Sequence, residues 1–433
     1  MLETIKNAWR VADIRKKVLF TILIVAIFRL GAVIPVPFVD SEALRAAASA
    51  TTGGTNEFFN YLSVLTGGGL EYGAIFAMSV TPYINASIII QLLCVAIPYL
   101  ERLSKEGEAG SKKLAQITRF AAVALALLQG TVYYFYLKNS GYLVSSATKG
   151  IGASIFAAVV IILCFTAGSA IVMWLGERID EKGIGNGISI LLFAGIISRG
   201  PQAAMMLWQY LQLGQYLAVV GIVVGFLAVI MFIVWMTNAE RRIPIQYAKR
   251  VVGNKMYGGQ NSHLPIKVNM SGVMPIIFSS SILMLPTMIL SFMGTSKSST
   301  KIYKILSLFS TRGTFYAVIY LLLIIAFAYF YVTIQYNPQE MANNLRKNGG
   351  AITGIRPGKP TADFINAILR RVTLLGALFL SVIAVLPILV SNFGGINISL
   401  GGTSILIVVG VALETVQTLE SQLMMRHYKG FLD

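Results

Sequence analysis

Residues 79–98 read SVTPYINASIIIQLLCVAIP, a stretch that is long and apolar enough to cross a bilayer as a helix. It nevertheless carries Pro82, Asn85, Ser87 and Gln91. Polar groups left unsatisfied in hydrocarbon are costly, so a lipid-facing helix would not keep them. The stretch therefore predicts a helix that lines a passage walled by protein.

The composition of the whole chain agrees with a membrane environment. Of its 433 residues, 56% are hydrophobic and 12% are charged, against ~25% charged in an ordinary soluble domain. The net charge of +17 would suit a nucleic-acid partner, but the basic residues are concentrated in segments between apolar runs. We therefore expect an all-α polytopic membrane protein.

Apolar runs near the ~20 residues that a membrane helix needs predict ten crossings. They lie at about residues 18–34, 74–98, 119–137, 153–176, 184–198, 215–237, 271–293, 314–336, 371–390 and 403–424. Of the 35 Lys and Arg residues, 26 fall on the side of the N-terminus and Arg29 falls within the first crossing. The eight on the opposite side are Arg45, Lys138, Lys149, Arg199, Lys297, Lys301, Lys304 and Arg312. Because Lys and Arg accumulate in cytoplasmic segments, both termini are expected in the cytoplasm.

The predicted crossings divide into two sets of five, in residues 1–213 and 214–433. An odd number per half inserts the halves in opposite senses, and such inverted halves usually enclose the working passage at their interface. Residues 1–17 mix apolar and basic side chains. This pattern favours an amphipathic helix on the cytoplasmic membrane surface over a frayed basic tail.

A short apolar segment precedes the second crossing. Residues 57–66 (EFFNYLSVLT) are too few to span a bilayer, and the triplet Gly67, Gly68 and Gly69 follows them. Irregular backbone is tolerated at membrane depth only where protein surrounds it, so a re-entrant plug is one interpretation. An amphipathic surface helix explains the same residues equally well. We interpret the glycines as a flexible hinge, because glycine adopts backbone angles closed to other residues.

Two long basic loops, at about residues 238–270 and 337–369, lie on the predicted cytoplasmic side. They could be plain topological signals that also attract lipid head groups. However, loops longer than ~12–15 residues are usually functional or disordered. Their charge favours a docking surface for an acidic or nucleic-acid-rich partner.

Motifs for catalysis are lacking. The GIGNG segment at residues 183–187 follows a membrane helix, so it predicts a tight turn and not a dinucleotide site, which would need a preceding strand. The crossings contain few ionisable side chains, namely Arg29, Glu414 and Glu420, which disfavours ion-coupled transport. Cysteine and histidine residues lack ligand spacing, so no metal, cofactor or catalytic residue is expected.

Seven blocks of the sequence resemble the SecY family, the channel subunits of the bacterial protein translocase. The blocks are residues 75–91, 174–187, 247–250, 263–269, 354–358, 401–404 and 416–419. The resemblance implies a multi-pass channel in the bacterial cytoplasmic membrane that is not itself an enzyme. It also implies partners: the small subunits SecE and SecG, the ATPase SecA, the ribosome, signal sequences, nascent polypeptides and membrane lipids.

The resemblance also implies site residues. An aliphatic pore ring falls on Val80, Ile84, Ile188, Leu192, Ile277 and Ile407. A plug spans about residues 58–70 and includes Phe58, Phe59, Tyr61, Leu62, Val64, Leu65, Gly67, Gly68 and Gly69. A lateral gate includes Asn85, Ile88, Gln91, Gln129 and Ile282. Partner docking falls on Arg241, Arg242, Lys249, Arg250, Arg356 and Lys359.

Two other functional classes remain to be weighed. A secondary transporter with inverted repeats would bind its solute at a polar site near the bilayer midplane. The six ring positions are all aliphatic, which favours a channel that excludes ions by a dewetted constriction. An intramembrane enzyme would need a nucleophile and base, for which the sequence offers no set.

Overall fold

The computed structural model describes residues 9–50, 67–144, 150–247, 250–252, 255–257, 261–293, 314–394 and 402–429. This part of the chain is mostly helical. Its helices are α1 (Ala12–Gly31), α2 (Ser41–Ala50), α3 (Thr81–Ala96), α4 (Pro98–Lys105), α5 (Glu108–Asn139), α6 (Ile151–Lys182), α7 (Gly187–Ile197), α8 (Gly200–Gln212), α9 (Tyr216–Asn238), α10 (Met274–Met293), α11 (Thr314–Gln335), α12 (Pro338–Lys347), α13 (Lys359–Gly394) and α14 (Gly402–Lys429). The strands are β1 (Glu240–Tyr247), β2 (Arg250–Val252), β3 (Lys255–Tyr257), β4 (Asn261–Lys267) and β5 (Gly350–Ile352).

Seven helical segments of the described chain are long and apolar enough to cross a membrane, and the bent pair α3–α4 would be an eighth. The protein is therefore a multi-pass membrane protein, as the apolar runs predict. The finer count of ten crossings stays a prediction, because α1 and α10 do not meet the same length and composition test.

The crossing predicted at 74–98 is helical only from Thr81, so its expected start is wrong. Pro82 explains where the helix begins, since proline fits the first helical turn, where an amide hydrogen bond is not needed. Residues 67–80 form irregular turns instead. At the other end, Ile97 is extended because it precedes Pro98, and the axes of α3 and α4 differ by 103°.

Helices α5 and α6 are longer than the apolar runs that predicted them. Each has 32 residues. At 1.5 Å per residue such a helix is about 48 Å long, which exceeds the ~30 Å hydrocarbon core. Their charged ends, such as Glu108 and Lys182, therefore extend beyond the apolar layer, and apolar runs alone understate such helices.

A small antiparallel sheet joins the two long basic loops, which the sequence did not predict. Strand β1 pairs with β4 from the same loop and with β5 from the other, giving the order β4–β1–β5. Along β1, Ile243 and Ile245 are buried while Arg242 and Pro244 are exposed, the alternation of a sheet with one covered face. Strands β2 and β3 form a separate hairpin.

The chain divides into two compact units. The first comprises residues 1–219, 287–304 and 411–433, and the second comprises residues 220–286 and 305–410. In the first, a core between α5, α6 and the turns after Gly69 includes Tyr133, Phe165 and Met78. In the second, the covered face of the sheet packs on α13 through Ile243, Ile266, Ile352, Ile365 and Leu369.

Candidate functional site

Four of the proposed ring residues belong to the first unit and occupy the starts of two helices. Val80 is the N-cap residue of α3 and is 1% exposed, and Ile84, which lies one turn further on, is half-buried. Ile188 and Leu192 have the same spacing on α7, so each pair lies on one face of its helix. Both α3 and α7 contact α6, which gives the two pairs a common support.

The turn between α6 and α7 fixes where α7 begins and therefore where Ile188 and Leu192 lie. Asp180 accepts a hydrogen bond from the amide of Gly187 at 2.7 Å, and Asn186 accepts one from the amide of Ser189 at 3.1 Å. A Cβ on Gly187 would overlap the carbonyl of Gly176 on α6. The two helices therefore meet backbone to backbone, and the tight turn predicted from GIGNG is confirmed.

The other two ring residues lie in the second unit. Ile277 is half-buried on α10, and Ile407 is 2% exposed on α14. Their chain neighbours Ile276 and Leu406 are buried as well, at 1% and 2% exposed. Each unit thus contributes aliphatic ring candidates from two of its helices.

The proposed gate residues differ in how their polar groups are satisfied. Asn85 is half-buried on α3, and its Oδ1 atom is buried without a hydrogen-bond partner among the residues that the structure describes. Gln91 donates to Ser87 on its own helix at 3.2 Å. Asn85 is therefore available to a partner outside its helix, whereas one amide hydrogen of Gln91 is engaged locally. Gln129 on α5 and Ile282 on α10 are half-buried, and Ile88 is 4% exposed.

The glycine triplet is enclosed, which changes its interpretation. Gly67 and Gly68 have positive φ angles of 64° and 88°. A Cβ on Gly67 would lie 2.6 Å from Nη1 of Arg29 and from the carbonyl oxygen of Gly195. Gly67 is thus required for close approach as well as for its backbone angles. The plug residues Phe58, Phe59, Tyr61, Leu62, Val64 and Leu65 lie outside the described residues.

The turns that follow Gly67 are held from several sides, and the sequence analysis missed these contacts. We call residues 67–80 the glycine stretch. Ser198 donates to the carbonyl of Gly67 at 3.3 Å, and the buried hydroxyl of Tyr133 donates to the carbonyl of Leu70 at 2.8 Å. Glu71 forms an ion pair with Arg199. Arg29 lies within the first predicted crossing, and Arg199 lies on the predicted outer side, where basic residues are few. These unusual positions are the sequence signal that could have indicated the contacts.

The two basic loops carry the proposed docking residues on one structural unit. Arg241 and Arg242 are exposed on β1, and Arg242 pairs with Glu240 at 2.6 Å. Arg356 and Lys359 are exposed just after β5, where Gly354 and Gly358 have positive φ angles of 83° and 105°. Thr361 donates to the carbonyl of Arg356 at 2.9 Å and so fixes the base of this loop.

The structure describes only one of the two remaining docking candidates. Lys249 lies outside the described residues, and Arg250 begins β2. Since β1 pairs with β5, the structure brings Arg241, Arg242 and Arg356 onto one small subdomain. Within the described ranges, no three His, Cys, Asp or Glu side chains form a group that could hold a metal ion.

Comparisons with known proteins agree with this architecture. The SecY family model matches residues 74–416. Protein translocase subunit SecY of Streptomyces coelicolor is 43% identical over 443 residues, and that of Bacillus subtilis is 44% identical over 444 residues, each with 100% of both chains covered. A solved protein-conducting channel has a TM-score of 0.64 at 18% identity, covering 94% of this chain and 92% of that one. Sec61 from a canine ribosome–channel complex has a TM-score of 0.59 at 16% identity, with 94% and 92% covered.

Proposed function

The chain belongs to the SecY family, and from this premise we propose that it is the protein-conducting channel of a Sec translocase. It passes unfolded secretory polypeptides across the bacterial cytoplasmic membrane, with both of its own termini in the cytoplasm. The observation that carries the proposal is identity of 43–44% to translocase subunits over the full length of both chains. The concentration of Lys and Arg on one side of the predicted topology supports the orientation.

The passage is sealed by the aliphatic ring rather than by charges. In this proposal the ring consists of Val80, Ile84, Ile188, Leu192, Ile277 and Ile407. A constriction of such side chains stays dewetted, so it excludes hydrated ions while offering no binding site to a moving chain. The plug at residues 58–70 closes the outer funnel in the resting state.

Signal sequences and membrane helices leave sideways into lipid. The exit separates α3 and α5 from α10 and α11. Asn85 supports this proposal, because an amide oxygen that is buried without a partner among the described residues is suited to a hydrogen bond that forms in one gate state only. Interhelical hydrogen bonds in membranes contribute roughly 0.6–2 kcal/mol, a strength that allows opening. Gln91 and Gln129 add polar groups at the same gate.

Partners supply the driving force, and the chain itself performs no catalysis. SecA or a translating ribosome docks on the exposed basic residues of the β4–β1–β5 sheet and the Arg356 loop, while SecE and SecG complete the membrane complex. Guanidinium groups bind carboxylates and phosphates alike. This chemistry supports a single surface that binds acidic residues of SecA and RNA of the ribosome. A ribosome-bound Sec61 relative of similar fold is consistent with this arrangement.

Transport in a reconstituted system tests the proposal. Proteoliposomes that contain this chain with SecE and SecG should protect a radiolabelled preprotein from added protease when SecA and ATP are present. Omission of SecA, or a non-hydrolysable ATP analogue, is the control. Uptake of a small solute without protection of the preprotein would contradict the proposal and favour a secondary transporter.

A further inference from the structure

Three arginines that lie outside the predicted cytoplasmic segments contact one short segment of the chain, residues 67–72. Arg29 on α1 donates to the carbonyl of Gly67 at 3.3 Å. The guanidinium of Arg45 on α2 lies 4.8 Å from the ring centroid of Tyr72. Arg199, which precedes α8, forms an ion pair with Glu71. We call Arg29, Arg45 and Arg199 the arginine clamp.

The clamp contains most of the arginines that lie outside the predicted cytoplasmic segments. Outside the 26 basic residues of the N-terminal side, the sequence has four arginines, and three of them form the clamp. The fourth, Arg312, lies outside the described residues. Basic residues on the far side of a membrane protein oppose its topological signal, so their presence calls for a specific role. Their contacts with residues 67–72 provide one.

The ion pair within the clamp is unusually shielded. Both side chains of the Glu71–Arg199 pair are less than a quarter exposed, at 23% and 14%. Removing charges from water is unfavourable, so a shielded pair is weak evidence for a purely stabilising role. Removing one partner of a shielded pair is nevertheless costly. Such a pair is well suited to fixing a position.

The glycine stretch connects the ion pair at Glu71 with the ring residue Val80. Within the glycine stretch, the amide of Ala74 donates to Gly69 at 2.9 Å, and the amide of Ile75 donates to Ile34 at 3.0 Å. The stretch ends at Val80, whose carbonyl accepts the first hydrogen bond of α3 from Ile84 at 3.1 Å. Glu71 and Val80 are therefore the two ends of one short segment that is hydrogen-bonded within itself and to Ile34.

We propose that the arginine clamp holds the glycine stretch in its resting position and thereby keeps Val80 seated in the pore ring. These arginines are positioning residues, since they act through residues 67–72 and not on the transported chain. The inference rests on the proposed function and adds to it: it assigns residues outside the ring to the maintenance of the seal.

The test removes the carboxylate of the clamp. In purified complex with SecE and SecG, Glu71→Gln should raise the resting ion conductance in planar bilayers several-fold. It should retain SecA-driven transport of an intact preprotein and should accept a preprotein with a defective signal sequence. The charge-reversed double variant Glu71→Arg, Arg199→Glu should return both readouts towards wild type. Glu108→Gln, which breaks an exposed ion pair with Lys112, is the matched control and should behave like wild type.

The outcomes separate the clamp from ordinary stabilisation. If Glu71→Gln lowers thermal stability but the assembled channel conducts ions as wild type does, the pair is structural and the proposal is overturned. If that variant does not assemble, Arg45→Gln removes the exposed arginine of the clamp and should raise the resting conductance less than is expected for Glu71→Gln. Wild-type conductance in Arg45→Gln would then contradict the proposal. Failure of the wild-type complex to transport preprotein would instead reject the proposed function.

Discussion

Ile245 on β1 lies directly opposite Ile352 on β5, and both side chains are buried. This pair joins two basic loops that the helices α10 and α11 separate in the sequence. The covered face of the resulting sheet packs on α13 through Ile365 and Leu369. The exposed arginines of both loops therefore sit on one folded subdomain whose shape depends on this pairing.

Loss of that pairing should impair docking without preventing membrane insertion. Ile352 is 3% exposed, and large-to-alanine changes in a core cost about 2–5 kcal/mol. We expect Ile352→Ala to make the β1–β4 loop more sensitive to limited proteolysis and to reduce SecA-driven transport. Thr353→Ala, at an exposed neighbouring position, is the control. Equal proteolysis of both variants and the wild type would argue against a cooperative subdomain.

Arg356 is expected to be required by the motor. A guanidinium presents a rigid fork of donors that lysine cannot reproduce, so Arg356→Glu should abolish motor-driven transport and Arg356→Lys should reduce it. SecA ATP turnover and preprotein protection, read together, measure the effect. Arg346→Glu, an equally exposed change on α12, should cost little. Wild-type values for Arg356→Glu would mean that the loop carries only a topological charge.

Polar substitution of the ring should break its seal. We expect the triple variant Ile84→Ser, Ile188→Ser and Ile277→Ser to increase resting ion conductance, because hydroxyl groups let water enter a dewetted constriction. Single-channel recording in planar bilayers measures the change. Ile89→Ser, on the exposed side of α3, should leave the conductance unchanged. An unaltered leak in the triple variant would remove the ring assignment.

A reversible cross-link should block the side exit. We expect Ile88→Cys with Ile282→Cys, in a background where Cys94 and Cys164 are replaced by serine, to stop secretion under oxidation and to recover on reduction. A signal sequence is an apolar helix that must reach lipid, and a covalent bridge prevents the helices from parting. Either single cysteine variant is the control. Normal transport with the cross-link demonstrated on a gel would refute this route.

Gly187 should tolerate no side chain. A Cβ there would overlap the carbonyl of Gly176, and overpacking of this kind typically costs about 1–3 kcal/mol. We expect Gly187→Ala to lower the thermal midpoint of the purified complex and to raise its ion leak, because Ile188 follows directly. Gly225→Ala on α9, with nothing within 4 Å of the added carbon, should not destabilise the complex. Similar midpoints for both variants would show that α6 and α7 can separate freely.

The sequence by itself determined the features that depend on local composition. Apolar runs identified the membrane class, and the segment before Gly187 identified the tight turn between α6 and α7. The motif blocks identified the family. These inferences succeed because hydrophobicity, charge bias and turn chemistry are properties of neighbouring residues. The same local view misjudged the start of the helix at Thr81 and the charged ends of α5 and α6.

Only the tertiary structure decided which distant residues meet. The pairing of Ile245 with Ile352 joins two loops into one sheet, and Gly67 proved to be enclosed by Arg29 and Gly195. Arg29, Arg45 and Arg199 are scattered exceptions in the sequence, yet they converge on residues 67–72. Side-chain patterns show which face of an element is covered but not what covers it, because partner choice depends on packing between segments far apart in the chain.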